Sequence, residues 1–406
     1  MYEDLKTIIN KELGLIREAG IYKEERIIES PQGREIVVGD PPSHKATAGQ
    51  RKKLLNFCSN NYLGLSGTEE LRVESDKALK RWGFGLASVR FICGTQTIHK
   101  DLERATADFL RTEDAVLYSS CFMANLGLFQ TFFGEEDAIL SDELNHASII
   151  DAVRLTKSER HVYKHMDMAD LEEKLKATQG KRLRVIATDG IFSMDGHIAP
   201  LKEICDLAEK YRALVMVDDA HSTGVLGRTG RGTIEHAGVE GRIDFLTSTF
   251  GKALGGAGGA FNATRKEAAE FLRQRSRTYL FSNALDTGIA GVSLWALKHV
   301  DQHPELRERL WRNVTSFRKG MKEAGFNISE SGHPITPIMM KEDRLAAEMA
   351  KALFEEGIYV VGFSYPVVPK GKARIRVQIS AAHTEEDIEK AVDKFAAAGE
   401  KFGALN

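Results

Sequence analysis

Apolar positions along the chain follow three different rhythms. Leu5, Ile8, Ile9, Leu13 and Ile16 recur at helical spacing, which predicts an amphipathic helix over residues 2–19 that Gly20 can terminate. From 21 to 58 the pattern alternates as strands do, with Pro31-Gln32-Gly33 and Asp40-Pro41-Pro42-Ser43 as turns. Residues 1–58 therefore read as an N-terminal arm. Over 59–290 short apolar runs alternate with glycine-rich or polar turns and charged helical stretches. The runs are Ala115–Tyr118, Ala138–Leu140, Val185–Thr188, Leu214–Val217 and Phe245–Thr247; helical stretches include Met168–Thr178 and Leu201–Tyr211. Such alternation predicts an α/β fold, a mostly parallel sheet with helices on both faces. Residues 286–325 read as helical. From 291 to 406 the pattern suits a smaller α+β domain. It holds a strand over Ile335–Met340, a helix over Arg344–Glu356, strands over Ile358–Val361 and Arg374–Ile379, and a last helix opened by the capping box Thr384-Glu385-Glu386-Asp387.

Composition narrows the class without naming it. A chain of 406 residues, 42% hydrophobic and 28% charged, is ordinary for a globular protein of two or three substructures. With 56 basic against 58 acidic residues, nothing favours nucleic acid or an anionic membrane as a partner. No apolar run approaches a membrane span, and the acidic start Met1–Lys6 lacks the apolar core of a secretory signal. Cys58, Cys93, Cys121 and Cys205 fit no zinc spacing, so no metal is expected; they read as reduced thiols of a cytoplasmic protein.

In this architecture ligands sit beyond the carboxyl ends of the strands. The chemistry-bearing residues gather there: Ser119–Phe122, Asp189–Ser193, Asp218–His221 and Lys252. Lys252 stands among small residues in Ser248-Thr249-Phe250-Gly251-Lys252-Ala253-Leu254-Gly255-Gly256. A reachable, partly desolvated lysine is a nucleophile toward aldehydes. Asp218 ends an apolar strand, with His221 three residues on. Singly these are a surface lysine, a helix cap and a core histidine; together they supply the Schiff-base lysine and ring-nitrogen acid that pyridoxal phosphate (PLP) requires. The amides at Cys121 and Phe122 open a helix and suit a phosphate, to which Thr249 could add a hydroxyl. His146, in Asn145-His146-Ala147-Ser148, could lie on a cofactor ring. No Gly-x-Gly-x-x-Gly follows a strand, and Gly251-Lys252 is followed by Ala253, so dinucleotide and P-loop readings fail.

Longer blocks carry a resemblance: Cys58–Leu65, Ala87–Gln96, Leu144–Asp151, Thr188–Gly196, Tyr279–Asn283 and Tyr365–Gly371 running into Arg374-Ile375-Arg376. In these the chain resembles the α-oxoamine synthases, PLP-dependent transferases of fold type I (the aspartate aminotransferase fold), and within them the glycine C-acetyltransferases. The resemblance implies that Lys252 holds PLP and moves the α-proton, that Asp218 pairs with the ring nitrogen, and that His221 contacts the ring hydroxyl while His146 stacks on the ring. It implies phosphate contacts from Cys121, Phe122 and Thr249, an approach of Ser193 to the cofactor, and Ser282 and Asn283 reaching across a homodimer. Asn60 and Arg376 would bind the substrate carboxylate, with Arg374 a rival to Arg376. The implied reaction interconverts 2-amino-3-oxobutanoate plus coenzyme A with glycine plus acetyl-CoA, in threonine breakdown, with a threonine dehydrogenase as a possible partner. Two rival readings are an 8-amino-7-oxononanoate synthase, joining alanine and pimeloyl-CoA, and a non-catalytic paralogue that only binds. The intact lysine, aspartate and histidines oppose the last.

Overall fold

The computed structural model describes residues 1–18, 22, 25–39, 51–329, 331–340, 342–365 and 367–405. Gly20, the turn at Asp40–Ser43 and Pro366 of the Tyr365–Gly371 block lie outside these. Strands β1 (Ile27–Ile28), β2 (Glu35–Gly39) and β3 (Lys52–Asn56) come first. The central series is β4 (Asp114–Tyr118), β5 (Ala138–Asp142), β6 (Glu159–Tyr163), β7 (Arg184–Asp189), β8 (Leu214–Asp218), β9 (Phe245–Thr249) and β10 (Ala260–Thr264). Then follow β11 (Ile335–Met339), β12 (Ile358–Tyr359), β13 (Val361–Phe363) and β14 (Arg374–Gln378).

The central sheet runs β4-β10-β9-β8-β7-β5-β6. Pairs β5–β6, β5–β7, β7–β8 and β8–β9 are parallel, and β10 is antiparallel to both neighbours. Every residue of β5 and β7 is buried, as expected of inner strands covered on both faces. Two strands lacked a readable pattern. β6, Glu159-Arg160-His161-Val162-Tyr163, is an edge strand whose charges suit an exposed rim and hide its pairing from periodicity. β10 follows a glycine run and carries Asn262 inside Ala260-Phe261-Asn262-Ala263-Thr264, although all five positions are buried.

The helical stretch 286–325 is two helices, Thr287–Gln302 and Glu305–Glu323. Pro304 between them has no N–H to continue the first ladder and is pre-set to open the second. The strand expected at Ile358–Val361 also divides: β12 pairs parallel with β3, while β13 pairs antiparallel with β14. The arm strands thus share a four-stranded sheet, β1-β2-β3-β12, with a segment from the far end of the chain. A third sheet runs β11-β14-β13. The last helix, Glu385–Phe402, begins with the expected capping box: Thr384 and Asp387 exchange side-chain and backbone bonds at 3.1 and 2.8 Å. The first helix, Tyr2–Glu18, buries none of its residues. No helix among the described residues is long and apolar enough to cross a membrane.

Candidate active site

β4, β5, β7, β8 and β9 share one direction, so Tyr118, Asp142, Asp189, Asp218 and Thr249 end at one edge of the sheet. Asp218 is the best-anchored group there. Its Oδ2 accepts from Asn125 Nδ2 at 2.7 Å and from the Cys121 thiol at 3.5 Å, and its Oδ1 accepts from the Ala220 amide at 3.0 Å. Burial, then the Asp218 charge, hold the Cys121 thiol well above its ordinary pKa, so it stays a donor. Asn125 is itself fully fixed: it also donates to Ser148 Oγ at 2.8 Å and accepts from Thr247 Oγ1 at 2.7 Å. Sequence reading missed this residue, although it lies one helical turn beyond Cys121 and so on the same face. Asp189 stands beside Asp218 in register on the next strand. Burial and the Asp218 charge raise its pKa well above the carboxylate range, while the His146 amide, 2.9 Å from its Oδ2, opposes this. With three donors against one, the negative charge of the two resides on Asp218.

Lys252 follows β9 in a tight loop. Gly255, Gly256, Gly258 and Gly259 all have positive φ, from 72° to 101°, which lets the chain double back into β10; a side chain at Gly256 would also run into Ser66. The Lys252 amine has no hydrogen bond or ion pair among the described residues. Burial lowers its pKa, with Asp218, Cys121 and Asp189 pulling the other way and Arg376 adding to the decrease. A cavity of about 360 Å³ is lined by Lys252 together with Cys58, Asn60, Asn61, Ser66 and Tyr359.

Two histidines serve different parts of the edge. His146 caps the helix Ala147–Arg154, its Nδ1 2.8 Å from Ser148 Oγ, and its ring is open to solvent on one side. The protein on its other side depresses its pKa. His221 is buried, its Nδ1 2.8 Å from Tyr62 Oη, and burial followed by Lys252 pushes its pKa well below the ordinary value. Behind it His333 donates from Nε2 to the His221 carbonyl at 2.9 Å and accepts at Nδ1 from the Ile335 amide at 3.2 Å. Burial lowers the His333 pKa to about 3. A group that protonates more readily unfolded than folded makes stability fall as pH drops. Unfolding free energy should therefore decline from about pH 6.5, the unfolded histidine pKa, toward pH 3. Urea titrations across this range should give a shallower decline in His333→Gln.

Arg374 and Arg376 point to the same side of β14 but differ in commitment. Arg374 is ion-paired with Asp195 and donates to the Met194 and Lys372 carbonyls at 3.1 and 3.0 Å. Arg376 donates to the Ser193 carbonyl at 3.0 Å and lies over the Phe363 ring at 4.9 Å. Its buried Nε has no partner, and it pairs with no carboxylate among the described residues. Asn60 accepts from Gln378 Nε2 at 2.7 Å, next to that strand. Ser193, Asp195, His197 and Arg374 line a second cavity of about 750 Å³.

The remaining candidates stand differently. Cys121 and Phe122 are the first residues of the helix Cys121–Phe132, capped by Ser120, so their amides have no intrahelical acceptor. Thr249 Oγ1 donates to the Gly259 carbonyl at 2.8 Å and accepts from the Gly251 amide at 3.0 Å, so its proton is already engaged. Ser282 and Asn283 form no hydrogen bond with the Lys252 group; Asn283 bridges to Val89 instead. All four cysteines are free.

Comparison with known proteins agrees with this arrangement. The family model "Aminotransferase class I and II" matches residues 52–395. A 2-amino-3-ketobutyrate coenzyme A ligase of Salmonella typhimurium is 53% identical, covering 100% of both chains. An 8-amino-7-oxononanoate synthase of Thermosipho melanesiensis is 47% identical over 98% of this chain and 99% of its own. A serine palmitoyltransferase from S. paucimobilis, solved with bound PLP–myriocin aldimine, superposes with a TM-score of 0.89 at 29% identity and full coverage of both chains. The chain belongs to the aminotransferase class I and II family and, within it, to the α-oxoamine synthases.

Proposed function

We propose that this protein is a PLP-dependent acyltransferase that interconverts 2-amino-3-oxobutanoate plus coenzyme A with glycine plus acetyl-CoA, in threonine breakdown. The observation that carries the reading is an amine without a protein partner, Lys252, at the same strand edge as a carboxylate, Asp218, held by three donors. The substrates come from the name of the 53%-identical relative.

The residues present fit PLP. A free amine suits its aldehyde, an ionised buried carboxylate suits a protonated ring nitrogen, and unpaired helix-terminal amides suit a phosphate. When bound, PLP supplies an electron sink for the pair left on an amino-acid α-carbon. Lys252 would hold the cofactor's aldehyde and would also move a proton at the α-carbon; its lowered pKa favours that second task. Asp218, oriented by Asn125 and Cys121, would keep the ring nitrogen charged. His221 would serve the ring hydroxyl and His146 the ring, while Ser193 would approach the cofactor. The Cys121 and Phe122 amides would take the phosphate, and Thr249 would join them only by giving up its bond to the Gly259 carbonyl; Ser282 and Asn283 would reach that of the other subunit in a homodimer. Exposed Phe91 and Ile92, close in sequence to Val89, and exposed Phe281, close to its bridge partner Asn283, support the dimer. Arg376 and Asn60 bind the substrate carboxylate, and the unpartnered Arg376 Nε favours it over the committed Arg374. The same reading divides the chain into an arm (1–58), a cofactor domain (59–290) that holds the whole seven-stranded sheet, and a small domain (291–406) that lends β12 to the arm's sheet, and it places the protein in the cytoplasm, where a threonine dehydrogenase would supply the ketone.

Release of coenzyme A from glycine plus acetyl-CoA tests the function. Faster release from alanine plus pimeloyl-CoA would favour the second reading, which the 47%-identical synthase keeps open. Arg376→Met should raise the glycine KM roughly 10- to 100-fold, since a bond to a charged group contributes about 1.5–3 kcal/mol. An unchanged KM would move the carboxylate site elsewhere.

A further inference from the structure

Away from Lys252, a line of three groups leads from a buried carboxylate to the larger cavity. Asp142 ends β5 and is buried. Its Oδ1 accepts from the Leu144 amide at 2.9 Å and its Oδ2 from the Met166 amide at 3.0 Å, so both oxygens are acceptors. His165 Nδ1 lies 3.0 Å from Oδ1, which requires a hydrogen on that nitrogen. His165 Nε2 lies 3.0 Å from His197 Nδ1. The two rings are near parallel, 20° apart, and His165 is pinned edge-on against Phe192 at 4.4 Å.

This geometry has two protonation states. With both rings neutral, His197 donates from Nδ1 to His165, and His197 Nε2 is a lone pair. When His197 Nε2 gains a proton, the Nδ1 proton passes to His165, and the positive charge rests beside Asp142. A proton taken up at His197 can thereby be passed toward a carboxylate two groups away, while burial lowers the pKa of His197 itself. His197 lines the cavity of about 750 Å³ together with Ser193, whose carbonyl Arg376 holds. The charged groups around it are Asp195, neutralised by Arg374, His165 and Asp142 behind it, and Glu143 and Lys372 along the same wall.

We propose that His197 is the base that takes the proton of the acyl acceptor's thiol, with His165 and Asp142 as positioning residues behind it. The inference rests on the acyltransferase reading. A thiol of pKa about 8.5 is mostly protonated at neutral pH, and Lys252 is engaged at the α-carbon. In the cleavage direction the S–H bond breaks and its proton goes to His197. The sulfur pair forms the bond to the ketone carbon. The bond from that carbon to the α-carbon breaks, its electron pair stays with the α-carbon, and Lys252 supplies a proton there. His197 then returns its proton to water.

The test compares two rates of the holoenzyme: coenzyme A-dependent cleavage of 2-amino-3-oxobutanoate, and exchange of the glycine α-hydrogen with deuterated water, which needs no thiol. In His197→Gln the ratio of cleavage to exchange should fall about 100-fold, within the range of general-base catalysis, and the acid limb of kcat/KM for coenzyme A should vanish. His165→Gln should lower the same ratio less, through kcat rather than KM. Nitrogen-15 NMR of the apoprotein should show His197 with hydrogen on Nδ1 and a bare Nε2, a pattern lost in His165→Gln. Equal falls in both rates, or an unaltered ratio, would overturn the proposal. A wild-type enzyme showing neither rate would overturn the acyltransferase reading instead.

Discussion

Lys252→Ala should lower turnover by about four orders of magnitude or more, because proton transfer by one positioned group alone accounts for up to about 10⁴-fold. The variant loses two functions at once: the amine that holds the aldehyde and the group that moves the α-proton. No neighbour replaces it. Asp218 and Asp189 are acids, burial and nearby charges keep the Cys121 thiol protonated, and His146 is tied to Ser148 through Nδ1. The visible absorption of the lysine-bound cofactor should disappear as well, and spectroscopy of the reconstituted protein reads this independently of rate. Lys252→Arg should not restore it, since a guanidinium cannot condense with an aldehyde. Persistence of both the band and full activity would remove Lys252 from the centre of the site.

Asp218→Asn should reduce turnover by about 10²- to 10³-fold, the cost of removing one preorganised electrostatic contact, and should weaken cofactor retention on dialysis. The argument is local. Asn125 cannot turn to meet a new amide, because its oxygen already accepts from Thr247 and its nitrogen also serves Ser148. An asparagine at 218 would either set its NH₂ against the NH₂ of Asn125 or turn that NH₂ on the Ala220 amide. Each leaves donors facing donors in a buried site, at about 1–3 kcal/mol. Wild-type rates in this variant would contradict the role given to Asp218.

The inner strands were legible in the sequence because burial on both faces leaves an apolar run, as in Leu214–Val217 ending at Asp218. Lys252 was legible because small residues on either side mark a loop with room in it. β6 was not, since an edge strand obeys solvent more than core, and β10 was not, since its signal is diluted by Asn262. The break at Pro304 was readable from proline alone and was overlooked in favour of the longer periodicity. Partnerships were least legible. Nothing in spacing says that Asn125 reaches Asp218, or that His165 meets His197, because these pairs are made by the stacking of separate strands. The difference between Arg374 and Arg376 was equally hidden: both alternate correctly, and only the third dimension reveals that Asp195 has claimed one of them.

The divided segment at 358–363 has a mechanical consequence. Its first half is clasped to β3, which leads directly into Asn60, and its second half to β14, which carries Arg376. Gln378 ties the two further, through its amide to the Phe57 carbonyl at 2.8 Å and its side chain to Asn60. Asn60 and Arg376, the two groups proposed to meet the substrate carboxylate, are therefore tied to each other through paired strands. A substitution that loosens either pairing of the 358–363 segment should therefore disturb Asn60 and Arg376 together rather than one alone.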